Sequence, residues 1–279
     1  MIPAEFDYVA PDSLDAALGA LREGGEDAKV LAGGHSLIPL MKLRMAAPSL
    51  IVDLRQLDEL KNASSDGDSI RLGALVTHHR VATGGYGLTS AAAATIADQQ
   101  VRNMGTIGGT LAHGDPASDM PAVLLALEGS VIIRGSGGER EVAAADLFED
   151  FLTTAVGEGE ILTEVRFPKL EGYGYGYEKF NRRQEDWAMV AVSALVKKAS
   201  DGTCEDVRIG LTHMGSVPLR ATAAEAALRG KPLDADSIAA AAEQAAEGTE
   251  PPSDLNASVD YKQHLARVLT KRALTTASE

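Results

Sequence analysis

The chain has 279 residues, 45% of them hydrophobic, which predicts a globular protein with a sizeable core. Its formal net charge of −14 argues against nucleic acid as a partner, because phosphates attract clusters of Lys and Arg. The single cysteine, Cys204, excludes a disulfide within the chain and an iron–sulfur cluster of the usual four-thiolate kind.

Residues 1–55 alternate between helix and strand. Ser13 is a suitable N-cap for a first helix, because apolar residues at helical spacing follow it. Apolar runs predict short buried strands at 28–32 and 49–54, with a short helix over 36–45 between them. This alternation is typical of a small α/β unit with a mostly parallel sheet.

The rest of the chain follows two other patterns. Between residues 56 and 172, the sequence predicts strands at 69–75, 130–135 and 160–168 and helices at 89–98 and 117–129. From residue 173, it predicts strands at 173–180, 188–198 and 205–215, followed by helices over 219–230, 236–248 and 258–274. Strands followed by helices are typical of an α+β domain. In the first of these strands, the alternation of Tyr and Gly indicates close packing against another element.

Two glycine-rich stretches carry the chemistry. "AGGHS" (32–36) follows a predicted strand, and "TIGGT" (106–110) lies before an apolar helix. Successive backbone N–H groups at such glycines can form a concave binding site for an anion, above all phosphate. Two of these sites fit a diphosphate better than one does. The sequence has neither G-x-G-x-x-G after its first strand nor the P-loop motif, which argues against both of those nucleotide folds.

These stretches also carry a resemblance to a known family. "LAGGHSLIPLMKLR" (31–44) and "QVRNMGTIGGTLAHGDPASDMPAVLLAL" (100–127) strongly resemble the FAD-binding medium subunit of molybdenum hydroxylases, the family of aerobic-type carbon monoxide dehydrogenase and xanthine dehydrogenase. The resemblance covers the whole chain. It implies an α+β protein with a two-part FAD-binding domain of the vanillyl-alcohol-oxidase/PCMH type, followed by a C-terminal domain with a three-stranded antiparallel sheet and helices. We expect boundaries at 1–55, 56–172 and 173–279.

The resemblance also implies which residues bind FAD. Along the diphosphate we expect Ala32, Gly33, Gly34, His35, Ser36, Leu37 and Ile38, completed by Thr106, Gly108, Gly109 and Thr110. The family places an aspartate on a sugar hydroxyl, an apolar residue near the isoalloxazine and a lysine on the cofactor; these positions correspond to Asp119, Leu162 and Lys179. A role for Asp119 as a carboxylate at a helix N-terminus stays open. Many relatives have Gln and Asn where this chain has His35 and Thr110, which are still donors.

Other candidates point to packing rather than to chemistry. His78 and His79 are adjacent and would diverge on a helix, so we expect no metal site there. We assign Trp187 to packing. Of the three tyrosines in the Tyr–Gly alternation, Tyr177 is the one expected to approach the flavin or a partner surface. No catalytic residue is assigned.

The implied function is electron transfer within a larger enzyme. A large subunit would hold the molybdenum cofactor and a small subunit the [2Fe-2S] clusters, while this chain would pass electrons from FAD to quinone, oxygen or NAD. A dimer of heterotrimers is expected. The substrate stays open, because the molybdenum site would lie on another chain. The alternatives are a stand-alone FAD-dependent reductase of the same fold and a cofactor-free assembly subunit.

The sequence also predicts a compartment. No apolar run reaches the ~20 residues that cross a bilayer, and the N-terminus has neither the basic start nor the apolar stretch of a secretory signal. We therefore expect a cytoplasmic protein. Association with the inner face of the membrane stays open, but only through the other subunits of the complex.

Overall fold

A computed structural model describes residues 2–65 and 67–279 of the chain. Met1 and Asp66 fall inside the first two predicted units and lie outside the described residues. Three larger sheets follow one another along the chain, each with helices packed against it, so the class α+β is confirmed. Within the described ranges, no helix combines the length and the apolar character that are needed to cross a bilayer.

The N-terminal part builds a small parallel sheet. Its elements are β1 (Asp7–Val9), α1 (Leu14–Gly24), β2 (Ala28–Leu31), α2 (Leu37–Lys42) and β3 (Leu50–Asp53). The strand order is β1-β3-β2 and both pairings are parallel, as the alternating pattern predicts. Ser13 caps α1, since its hydroxyl accepts a hydrogen bond from the backbone N–H of Ala16. The buried side of α1, with Leu14, Ala17 and Leu21, packs on this sheet.

The central part contains a five-stranded sheet and most of the short helices. Its elements are β4 (Ala63–Ser64), β5 (Ser69–Gly73), α3 (His78–Thr83), α4 (Leu88–Ala94), α5 (Gln99–Met104), α6 (Ile107–His113), α7 (Asp119–Ala126), β6 (Ser130–Gly135), β7 (Gly138–Ala143), α8 (Ala144–Leu147), β8 (Phe148–Asp150), β9 (Thr153–Thr154) and β10 (Ile161–Pro168). The large sheet has the antiparallel order β4-β5-β10-β6-β7, and β8 pairs with β9. Leu162, Val165 and Phe167 of β10 belong to the core that this sheet shares with the helices.

The second glycine-rich stretch begins a helix rather than forming a loop. Thr106 is the N-cap of α6, and its Oγ1 accepts a hydrogen bond from the N–H of Gly109 at 3.2 Å. Gly108 packs against Ala74, the residue that follows β5. A Cβ added to Gly108 would lie 2.4 Å from the Cβ of Ala74. Glycine is a poor helix former, but here the close approach of helix and strand requires it.

The C-terminal part has its strands first and its helices last. Its elements are β11 (Tyr173–Phe180), β12 (Val190–Lys198), β13 (Cys204–Thr212), β14 (Leu219–Arg220), α9 (Thr222–Leu228), α10 (Ala235–Glu243) and α11 (Val259–Ser278). The strands form an antiparallel sheet in the order β11-β12-β13-β14. This is one strand more than expected, because the short β14, which lies in the predicted first helix, pairs with β13.

The alternation of Tyr and Gly in β11 separates two packing surfaces. A Cβ on Gly174 would lie 2.1 Å from the carbonyl oxygen of Ala277 in α11, and the strand is equally close to this helix at Gly176. The tyrosines at 173 and 177 pack instead against the core of the central part. The predicted close packing is therefore confirmed, and α11 is the element that needs the glycines.

Helix α7 joins the central part to the C-terminal sheet. It is apolar and buried nearly all round, which is the pattern of a helix enclosed on every side. The carbonyl oxygen of Ala122 accepts a hydrogen bond from Ser193 Oγ at 3.3 Å, and a Cβ on Gly210 would lie 2.3 Å from this oxygen. This packing fixes the first residue of α7, Asp119, where the two parts meet.

Candidate functional site

A cavity of about 450 Å³ lies where the end of β2 and the starts of α6 and α7 approach β11. The predicted site residues in its wall are Ala32, Gly33, Gly34, His35, Ser36, Leu37, Thr106, Gly109, Thr110, Asp119 and Lys179. Ile38, Gly108 and Leu162 lie outside this wall. The fold thus brings both glycine-rich stretches together with two charged residues from distant parts of the chain.

The two glycine-rich stretches touch each other. A Cβ on Gly33 would lie 2.3 Å from the carbonyl oxygen of Met104 and 2.8 Å from the Cα of Gly105. Gly34 has a φ of +77°, in the left-handed region that favours glycine. A side chain at Gly33 would therefore clash with the backbone just before α6 and push the two stretches apart.

The first stretch presents unpaired backbone donors to the cavity. Across the part of the chain that the structure describes, the N–H groups of Gly33, Gly34, His35 and Ser36 have no protein acceptor. These four residues are consecutive and all lie in the wall. Successive free N–H groups on a concave surface attract an anion. We name residues 33–36 the open loop.

The second stretch differs, because the protein already uses its donors. From Ile107 to Thr110 in chain order, the N–H groups donate to the carbonyl of Val76, the carbonyl of Ala74, the Oγ1 of Thr106 and the carbonyl of Thr106. What α6 offers to the cavity is therefore the side chains of Thr106 and Thr110 and a close approach at Gly109. Gly108, which lies outside the wall, serves the packing against Ala74.

A buried ion pair forms another side of the cavity. Lys179 Nζ lies 2.9 Å from Asp119 Oδ2, and the two side chains are 6% and 5% exposed. Tyr177 donates a hydrogen bond to the other carboxylate oxygen of Asp119, and Lys179 also reaches the carbonyl of Thr95 at 3.4 Å. Burial and the nearby carboxylate raise the pKa of Tyr177 well above its usual range, so its hydroxyl stays protonated as a donor. Asp119 is also the first residue of α7, so both roles considered for it are compatible.

Part of the cavity wall comes from the turn at 95–97 and the loop before β12. Gln184 Nε2 donates to the carbonyls of Thr95 and Ala97 at 3.2 and 3.3 Å, which ties this loop to the turn. Trp187, on the same loop, lies in the wall and is 52% exposed. The assignment of Trp187 to packing is therefore incomplete; the available signal was its position among charged residues, where an aromatic side chain has few packing partners.

Three histidines, His35, His78 and His113, lie in the wall, and only the first was among the predicted site residues. Burial lowers the pKa of His113, although Asp115 opposes this effect, and burial also lowers the pKa of His78. In the described residues, no group of three or more His, Cys, Asp or Glu side chains could hold a metal ion. Within the wall, these histidines can therefore serve as hydrogen-bonding groups.

Leu162 lies at a second cavity of about 490 Å³. The walls of the two cavities share Lys29, Val30, Ala32, Gly109 and Ala112. The segment from β2 and the start of α6 thus separate two adjoining spaces. A long ligand that crosses this line would contact Leu162 at one end and the ion pair at the other.

The chain matches known families over nearly its whole length. Residues 4–170 match the family described as FAD binding domain in molybdopterin dehydrogenase, and residues 175–277 match the CO dehydrogenase flavoprotein C-terminal domain. The carbon monoxide dehydrogenase medium chain of Hydrogenophaga pseudoflava is 39% identical over 283 residues, covering 99% of this chain and 98% of that protein. The 6-hydroxypseudooxynicotine dehydrogenase complex subunit alpha of Paenarthrobacter nicotinovorans is 38% identical, covering 99% of this chain and 96% of that one.

A solved structure is equally similar. The carbon monoxide dehydrogenase from Hydrogenophaga pseudoflava that lacks the Mo-pyranopterin moiety of the molybdenum cofactor gives a TM-score of 0.95 at 41% identity, covering 99% of this chain and 98% of that one. The matches define a flavoprotein subunit of an oxidoreductase, with FAD as its cofactor. The chain belongs to the FAD-binding medium subunits of molybdenum hydroxylases of the carbon monoxide dehydrogenase and xanthine dehydrogenase type. The expected PCMH-type fold with its C-terminal domain is confirmed.

Proposed function

We propose that FAD binds in the cavity with its diphosphate on the open loop. The observation that carries this proposal is the contact of Gly33 with Met104, which brings four consecutive free N–H groups beside the start of α6. A diphosphate supplies the acceptors that these donors lack. Thr106 and Thr110 add hydroxyls from the other side, while Leu37 and Ile38 follow the open loop into α2.

The remaining residues fit the two ends of the cofactor. Asp119 and Lys179 hold each other in the wall, so a sugar hydroxyl could bond to either group without leaving a buried charge alone. Leu162 lies in the wall of the adjoining cavity and is 4% exposed, so it would support a ligand there from the core rather than offer it an open surface. FAD is long enough to need both spaces. Once bound, it exchanges electrons singly or in pairs, and the residues of this chain bind and orient it.

Within the whole enzyme, this chain would take electrons from an iron–sulfur subunit and pass them to an external acceptor: quinone, oxygen or NAD. A large subunit would carry the molybdenum cofactor, and the assembly would be a cytoplasmic dimer of heterotrimers. The medium-chain and subunit names of the relatives support partner subunits. The single cysteine supports clusters on another chain. In the proposed division of the chain, 1–55 and 56–172 bind FAD and 173–279 completes the site; each of the three larger sheets lies within one of these ranges.

The test uses one glycine substitution in the site and one outside it. The purified full chain should bind equimolar FAD and show the absorbance of bound flavin. Gly33→Ala should abolish this binding, because the new methyl group would meet Met104 at 2.3 Å. Gly19→Ala is the matched control, since a Cβ there meets nothing within 4 Å. A wild-type chain without flavin, or a Gly33→Ala chain that binds FAD normally, would contradict the proposal.

A further inference from the structure

His78 has a fixed place beside the contact between the two glycine-rich stretches. It is the first residue of α3, lies in the cavity wall and is 5% exposed. Its backbone N–H donates to the carbonyl of Gly105 at 2.9 Å, and the preceding Thr77 forms a β-bridge with Thr106. A Cβ on Gly105 would lie 2.9 Å from Cδ2 of the imidazole. The ring is therefore packed against Gly105, the same residue that Gly33 approaches.

The imidazole is not satisfied by the protein. Nδ1 is buried and has no hydrogen-bond partner in the described part of the chain, and no described residue bonds to Nε2. Burial, and then the charges of His35 and Arg102, lower the pKa of His78 to about 4. The ring is therefore neutral near pH 7 and has one N–H and one lone pair. Nδ1 is sealed within the protein, so Nε2 is the nitrogen that a ligand in the cavity could reach.

The next residue on the same helix provides a contrast. Nδ1 of His79 lies 2.9 Å from Nε2 of Gln99, and the residue is half-buried and outside the cavity wall. Among the described residues, the imidazole of His79 has a protein partner, whereas the imidazole of His78, which is buried in the cavity wall, has none. The missing partner is therefore particular to His78 and is not a general property of α3.

We propose that His78 is a further binding residue for the diphosphate of FAD, to which its neutral imidazole donates a hydrogen bond. Since Nδ1 is sealed within the protein, Nε2 is the nitrogen that carries the proton and faces the ligand. The diphosphate is the acceptor because the ring stands beside Gly105, next to the open loop. The inference rests on the FAD site proposed above and adds a neutral donor from a third segment of the chain.

The experiment compares His78→Leu with His78→Gln and His79→Leu in the full chain freed of FAD. Affinity is measured by fluorescence titration with FAD, with ADP, which contains the diphosphate, and with riboflavin, which does not. We expect His78→Leu to weaken FAD and ADP by about 10- to 100-fold and riboflavin by less than about twofold. His78→Gln, which keeps an N–H donor, should restore most of the affinity, and His79→Leu should bind like the wild type.

Thermal unfolding of the FAD-free chains separates binding from structure. His78→Leu should unfold at or above the wild-type temperature, because it removes an unsatisfied buried polar group. Unchanged affinity for FAD and ADP in His78→Leu would overturn the proposal. So would a loss confined to riboflavin, or a loss that His78→Gln does not restore and that accompanies a lower unfolding temperature. Failure of the wild-type chain to bind FAD would instead contradict the proposed function, which keeps the two ideas distinguishable.

Discussion

The open loop and the start of α6 are both rich in glycine and both border the cavity, yet their backbone N–H groups differ in hydrogen bonding. Among the described residues, the four N–H groups of 33–36 have no protein acceptor, whereas residues 107–110 use all of theirs within the fold. Glycine at position 33 permits contact with Met104, and glycine at position 108 permits packing on Ala74. Similar sequence patterns thus leave free donors beside the cavity in one stretch and serve packing in the other.

The comparison also extends to side chains. The polar atoms of Asp119 and Lys179 already pair with each other, whereas the N–H groups of the open loop and the imidazole of His78 have no partner among the described residues. Groups that the protein satisfies contribute to the stability of the FAD-free chain. Groups that it leaves unsatisfied are available to contribute to the affinity for a ligand. We therefore expect substitutions of the satisfied groups to change the free energy of unfolding, and substitutions in the open loop to change mainly the affinity for FAD.

The largest expected effect is at the buried ion pair. Lys179→Met leaves the carboxylate of Asp119, 5% exposed, without its counter-charge. We expect a loss of about 3–5 kcal/mol in the free energy of unfolding of the FAD-free chain, measured by urea denaturation. The double variant Lys179→Met/Asp119→Asn should recover part of this loss. Additive effects of the two substitutions would contradict the pairing.

The next effect is a dependence on pH that His78 confers. Its pKa is lowered from 6.5 to about 4, so the folded chain holds the ring neutral while the unfolded chain takes up a proton. The stability that the neutral ring allows is fully present above pH 6.5. As the pH falls toward 4, the free energy of unfolding decreases by about 3 kcal/mol, because only the unfolded chain takes up the proton readily. Urea denaturation at several pH values should give a shallower decline for His78→Leu. The Gly19→Ala chain should keep the wild-type slope, and equal slopes for all three chains would contradict a buried neutral ring.

A smaller loss is expected from filling the packing contact of α6. In Gly108→Ala, the new Cβ would lie 2.4 Å from the Cβ of Ala74. We expect the FAD-free chain to lose about 1–3 kcal/mol, because such overpacking forces the helix away from the strand. Gly19→Ala, at an open position inside α1, should be neutral or stabilising by up to about 1 kcal/mol. A Gly108→Ala chain as stable as Gly19→Ala would contradict the packing role of Gly108.

The helix cap gives a fourth, still smaller effect. Thr106→Ala removes the oxygen that accepts from the N–H of Gly109. Loss of such a cap costs about 1 kcal/mol of stability. Thr106→Ser keeps the hydroxyl and should restore the free energy of unfolding. If Thr106→Ala and Thr106→Ser were equally stable, the cap would not contribute to the free energy of unfolding. The N–H of Gly109 would then count as a free donor, like those of the open loop.

The smallest effect on stability is expected in the open loop itself. The side chain of His35 is exposed and lies in the cavity wall. His35→Ala should change the free energy of unfolding by less than about 0.5 kcal/mol. FAD affinity, measured by fluorescence titration, should nevertheless fall several-fold, because a donor beside the diphosphate is removed. A His35→Ala chain that loses stability but keeps its affinity for FAD would contradict the role of the open loop in binding rather than in stability.

The sequence predicts the elements that local patterns encode. The parallel sheet of the N-terminal part, the long α11 and the close packing at Gly174 all follow from periodicity and from the Tyr–Gly alternation. The two-residue β14 has no such signal, because its pairing with β13 is set by tertiary contact. Helix α6 lacks a helical signal at its start for a similar reason: its glycines suit the neighbouring strand rather than the helix.

The site was predicted in part. The resemblance indicates residues such as Gly33, Asp119 and Lys179, which the fold brings to one wall. It does not indicate that the last two form an ion pair, since they are 60 positions apart and meet only through α7 and β11. His78 and Trp187 were missed, because exposure and missing partners are properties of the folded chain.

Amide hydrogen exchange of the full chain, with and without FAD, tests the central difference most directly. Without FAD, the N–H groups of 33–36 should exchange quickly and those of 107–110 slowly. Adding FAD should protect the first set and leave the second unchanged. Slow exchange at 33–36 without FAD, or no added protection when FAD is bound, would contradict the account that these free donors hold the diphosphate.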